Sequence, residues 1–114
     1  MMKSAAAASL LLLAWPLVAA AQSSTPAPSE KELAGMRLFN QSCRVCHTKP
    51  LLTAGQYGPV LSKESLGGDE AALDDFIANG APRMPGFKTT YSGAQIDAIV
   101  AYLKTVPPQG AAPK

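Results

Sequence analysis

The stretch Cys43-Arg44-Val45-Cys46-His47 constrains this chain more than any other, because it uses both cysteines and the only histidine of 114 residues. It reads C-x-x-C-H, the spacing of covalent c-type haem attachment. Each thiol can add across one haem vinyl group, so the pair tethers one porphyrin through two thioethers. His47 follows directly and can rise beneath the ring as the fifth iron ligand. Three simpler readings compete. A thioredoxin-like redox pair would sit in alternating strands and helices, and no such pattern surrounds the motif. A structural zinc site needs a fourth ligand, and no further Cys or His exists. A plain disulfide at this spacing is the third.

The chain opens as an exported protein does. Met1-Met2-Lys3 supplies a positive start, Ser4 to Val18 is a short apolar run, and Ala19-Ala20-Ala21 offers an A-x-A cleavage site. The run is short for a membrane span and is interrupted by Pro16, so cleavage near Ala21 is expected rather than a permanent membrane span. Residues 1–21 are therefore read as a signal peptide and the mature protein as periplasmic. What remains is small for a hydrophobic core alone, and a haem would serve as its staple. The formal net charge is +2 and falls by one when Lys3 leaves. Such a balance gives no basic field, so no nucleic-acid partner is expected.

Residues 22–29 are polar, Pro-bearing and aperiodic, a flexible leader. Ser29-x-x-Glu32 is a capping box that starts a helix to about Gln41, with Leu33, Met36, Leu38 and Phe39 as its apolar positions. Thr48 to Gly68 is rich in Gly and Pro and reads as loop, long enough to imply that it wraps something. A second helix is expected over 69–79 with Leu73, Phe76 and Ile77 inward and Gly80 as its stop. Ala81 to Tyr91 is irregular. Ser92-x-x-Gln95 is a second capping box, and the last helix, 93–105, carries Ile96, Ile99, Val100 and Leu103 on one stripe. Pro107 and Pro108 end it, and 107–114 is expected to be a disordered tail. No repeat or strand alternation appears, so one all-α domain over 30–106 is expected.

A haem iron at His47 leaves its opposite face to be assigned. With no second His, the mature chain offers Met36 and Met84. Met36 lies on the helix before the motif, where core packing suits it. Met84 lies in a loop stiffened by Pro82 and Pro85, far enough along to return over the other face; its competing role is to fill the core. A His/Met pair fills both axial positions and leaves one-electron transfer as the chemistry.

Taken together, these residues resemble a class I c-type cytochrome, of the small bacterial periplasmic monohaem kind. The resemblance spans about Glu32 to Val106. It rests on Gly35-x-x-x-Phe39-x-x-x-Cys43-x-x-Cys46-His47, on Gly58-Pro59-Val60-Leu61, on Met84-Pro85-Gly86-Phe87 and on Ile99-Val100-Ala101-Tyr102-Leu103. It implies a cytochrome c fold of about three main helices with loops around one covalently bound haem c. It implies that Gly35 and Phe39 pack against Ile99 and Tyr102 where the first and last helices cross. It implies that the Pro59 carbonyl accepts from the Nδ1–H of His47, and that Leu61 and Phe87 pack at the haem. No Trp remains after residue 21 to meet a haem propionate, which leaves Tyr57, Tyr91 and Arg83 as candidates.

The function so implied is a periplasmic one-electron carrier and not an enzyme. It would link a dehydrogenase donor to an oxidase or another cytochrome. Lys49, Lys63, Lys88, Arg44 and Arg83 are candidates to steer an acidic partner, against the plainer role of solvated surface charges. Two other readings stand beside it: a cytochrome subunit held tightly in a quinoprotein dehydrogenase complex, and a haem sensor or enzyme with a labile Met84.

Overall fold

The computed structural model describes residues 25–48 and 57–109; the expected signal peptide, Lys49 and the end of the chain lie outside that range. Residues 25–29 run without regular structure into the first helix. Helix α1, Glu30–Leu38, starts at the Ser29 capping box. Ser29 Oγ accepts the Glu32 N–H at 3.2 Å, and Glu32 returns a carboxylate oxygen to the Ser29 N–H at 2.6 Å. Two of the donors that a helix start leaves unpaired are thereby satisfied.

The helix does not stop near Gln41. It widens into a π-helical turn over Phe39–Cys43 and resumes as the short helix α2, Arg44–His47. Its wider bond is the Arg44 N–H to the Phe39 carbonyl. Such turns insert a residue and change the face that following side chains present, and they recur at functional sites. Phe39 and Cys43, four residues apart, both end up buried.

The stretch expected to be loop up to Gly68 closes on a 3-10 turn, Ser65–Gly68. Leu66 sits there at φ 53°, in the left-handed region, and is half exposed. Helix α3, Glu70–Asn79, is capped by Asp69, whose carboxylate accepts the Ala72 N–H at 3.1 Å. It ends at Gly80, at φ 78°. Leu73 and Ile77 are buried, but Phe76, expected inward, is 43% exposed. The reason is geometric. Helix α3 packs on α4 and the Ser65–Gly68 turn, so one narrow face is covered, and a residue next to Ile77 is turned about 100° from it.

Helix α4, Gly93–Leu103, carries the second capping box, Ser92 with Gln95. All four expected stripe positions are buried, with Ile99 and Leu103 at 1%. The dominant packing is α1 on α4. A Cβ added to Gly35 would fall 1.8 Å from the Ala98 carbonyl oxygen, so only Gly permits this crossing. Phe39 and Tyr102 meet there with ring centroids 5.4 Å apart. The described residues form no strand, only an isolated bridge between Ala81 and Met84, and the protein is all-α.

Candidate functional site

The two ends of the C-x-x-C-H stretch meet different surroundings. Cys43 is part of the core. Burial first, and then the neighbouring Cys46, pushes its thiol up to about 11, so it is a neutral thiol at ordinary pH. Cys46 is half-buried, and no disulfide joins it to Cys43. Val45 between them is 86% exposed.

His47 is held by the segment that begins at residue 57. Its Nδ1 lies 2.8 Å from the Pro59 carbonyl oxygen, which can only accept. Nδ1 is therefore the donor, and in the neutral imidazole this leaves the lone pair on Nε2 for a metal. The Gly58 N–H donates to the Cys46 carbonyl at 2.9 Å. A Cβ at Gly58 would sit 2.9 Å from Cε1 of His47 and 3.0 Å from Nδ1, so the backbone itself flanks the imidazole.

Met84 lies on the other side of the sequence and is half-buried against the same core cluster as Cys43, with Leu61 and Phe87 beside that cluster. Its segment is pinned by backbone bonds. Ala81 and Met84 exchange both N–H to carbonyl bonds at 2.9 Å. The Phe87 and Lys88 N–H groups donate to the Ile77 and Ala78 carbonyls of α3 at 2.9 and 3.1 Å. Met36, the other candidate thioether, is half-buried on α1.

Of the three residues considered for a carboxylate, Tyr57 and Arg83 come together. The Arg83 guanidinium lies 4.6 Å from the centroid of the Tyr57 ring. This cation–π contact joins the residue before Gly58 to the residue before Met84. Tyr91 has a different partner: it is 8% exposed, and its hydroxyl is hydrogen-bonded to Ser42 Oγ. That pair is separated by 49 positions, and nothing in the sequence pattern signals it.

Two thiols, one imidazole and one thioether are the side-chain types that would suit an iron with its own four equatorial nitrogens, one that asks the protein for tethers and axial donors. Among the described residues, no cluster of three or more His, Cys, Asp and Glu side chains is placed to hold a bare metal ion. Residues 30–103 match the family model described as cytochrome c oxidase, cbb3-type, subunit III, over most of the chain. The chain belongs to this family of c-type cytochromes. It is also 38% identical over 81 residues to the dihydro-heme d1 dehydrogenase of Pseudomonas aeruginosa. That match covers 68% of this chain and 16% of the relative, so the cytochrome spans about a sixth of that longer protein. No solved structure matches the sequence. The family implies haem c and haem-based electron transfer. No helix among the described residues is long and apolar enough to cross a membrane.

Proposed function

We propose that this cytochrome is an exported one-electron carrier with a single haem, tethered through Cys43 and Cys46 and ligated axially by His47 and Met84. The haem supplies the Fe(II)/Fe(III) couple; the chain holds it and sets its environment. The observation that carries this reading is the His47 Nδ1 bond to the Pro59 carbonyl, which presents Nε2 as the donor atom. An acceptor at Nδ1 raises the donor strength of the opposite nitrogen and locks the ring. Leu61 and Phe87 would supply apolar pocket wall, and Met84, the softer ligand, favours the reduced iron. Tyr57 and Arg83, joined by their cation–π contact, are the candidates to meet a haem propionate. With both axial positions filled there is no open site for substrate, which argues for a carrier rather than an enzyme.

A dehydrogenase donor and an oxidase or second cytochrome as acceptor suit a small periplasmic carrier. A second reading is favoured by one finding: a related domain forms about a sixth of a protein named a dehydrogenase. On that reading the chain is the cytochrome part of a dehydrogenase assembly. Gel filtration with the candidate dehydrogenase separates the two, because a free carrier elutes alone at physiological salt. The carrier reading is tested by redox titration of the mature protein with absorption spectra. The expected result is one n = 1 couple, low-spin in both states, with a near-infrared Met–Fe(III) band. Rapid CO binding by the native ferrous protein would instead indicate an open or labile sixth position.

A further inference from the structure

The cytochrome reading leaves one buried polar contact without a role. Tyr91 OH and Ser42 Oγ are 2.5 Å apart, with Tyr91 buried in the core and Ser42 half-buried in the π-helical turn. Ser42 immediately precedes Cys43. Tyr91 belongs to the other arm. Its N–H donates to the Phe87 carbonyl at 2.8 Å, and its ring stacks on Phe87 with centroids 5.7 Å apart and planes within 15°. Phe87 is three residues from Met84, and its own N–H is anchored on Ile77 of α3. The contact therefore closes a circuit. It runs from the cysteine-bearing helix, across the core to Tyr91, and through one tight turn to the Met84 segment.

We infer that the Ser42–Tyr91 hydrogen bond is a positioning latch: it holds the Met84 segment against the attachment helix and so sets how readily an outside ligand displaces Met84. This rests on Met84 being the sixth ligand. Displacing Met84 moves the 81–91 segment, and the stacked Phe87–Tyr91 pair is the part of it that reaches the attachment helix. The phenol then leaves Ser42, and a polar group paired in the closed state loses its partner. A competing ligand sees only the fraction of molecules that are open, so its apparent affinity reports the strength of the latch. The π-helical turn matters here because it sets the face on which Ser42 is presented.

The test uses ferric holoprotein titrated with imidazole, with the near-infrared Met–Fe(III) band as the readout. Tyr91→Phe and Ser42→Ala each keep the packing and remove one partner. Each is expected to raise imidazole affinity about five-fold, about 1 kcal/mol, the size of one hydrogen bond. The double variant is expected to match the singles, because both remove the same bond. A bond that only supports the fold would lower the guanidinium midpoint and leave imidazole affinity unchanged, and that result overturns the latch. A wild-type holoprotein without the near-infrared band would overturn Met84 as the ligand, and the latch with it. The band present with unaltered affinities overturns the latch alone.

Discussion

His47 and Met84 are held in opposite ways. The imidazole is fixed locally: Gly58 flanks the ring, Pro59 accepts its proton-bearing nitrogen, and the Gly58 N–H ties that segment to the Cys46 carbonyl. Its orientation needs only the few residues around positions 46 and 59. Met84 is fixed from a distance, by a two-bond turn with Ala81, by backbone bonds from residues 87 and 88 to α3, and by core packing. The first arrangement is a stiff mount, and the second is as firm as the packing of α3 and α4. On the proposed ligation that division suits the two residues: the imidazole would stay bonded through both oxidation states, while the thioether would be the weaker bond and depend on the protein to stay in place.

The sharpest break would come at the α1–α4 crossing, the dominant packing of the fold. Gly35→Ala puts a methyl group into the Ala98 carbonyl at the α1–α4 crossing. Backbone has to move there, so the cost is about 3 kcal/mol or more. Thermal unfolding is expected to drop steeply, with the His47 and Met84 spectral signatures lost together. Retention of wild-type stability would mean that the helices do not cross as described.

Met84→His touches one side only. The holoprotein is expected to remain low-spin while its reduction potential falls by on the order of 100 mV or more, since axial ligands tune haem over about 0.8 V. An unchanged potential in a redox titration would remove Met84 from the iron. Gly58→Ala touches the other side. Its Cβ meets the imidazole, so about 1–3 kcal/mol of stability is lost. The near-infrared Met–Fe(III) band is expected to survive while the potential shifts, which separates the two mounts.

The smallest effect is expected away from both. Leu66 holds a left-handed conformation that costs a β-carbon-bearing residue about 1–2 kcal/mol, and Asn tolerates it better. Leu66→Asn is expected to raise stability by about 1 kcal/mol in urea unfolding, with spectra and potential unaltered. A spectral change would show that this turn communicates with the site.

Much of the architecture was legible because its signals are local. Each capping box spells out its own helix start in four residues. The stripe Ile96, Ile99, Val100 and Leu103 follows directly from helical periodicity, while the close approach at Gly35 was implied only by the family resemblance. The features that were not legible depend on geometry that a linear pattern does not carry. The π-helical turn at Phe39–Cys43 is one added residue per turn with no compositional mark. Phe76 looks inward by hydropathy, yet α3 has a covered face too narrow to include it. Tyr57 with Arg83, and Ser42 with Tyr91, are brought together only by the packing of the helices. Around the site, the motif named the cysteines and His47 from spacing alone. The part played by Gly58 against the ring emerged only when the backbone of residues 57–59 was seen beside it.

The central claim is that this chain carries its haem by covalent bonds through Cys43 and Cys46, and one mass measurement addresses it. The mature protein is produced in a host that matures c-type cytochromes, denatured, separated from free haem and weighed. One haem mass added to the polypeptide is expected, with the fraction of polypeptide that keeps haem after denaturation lowered in either Cys43→Ala or Cys46→Ala. A polypeptide of apoprotein mass, with all haem released on denaturation, would contradict the account.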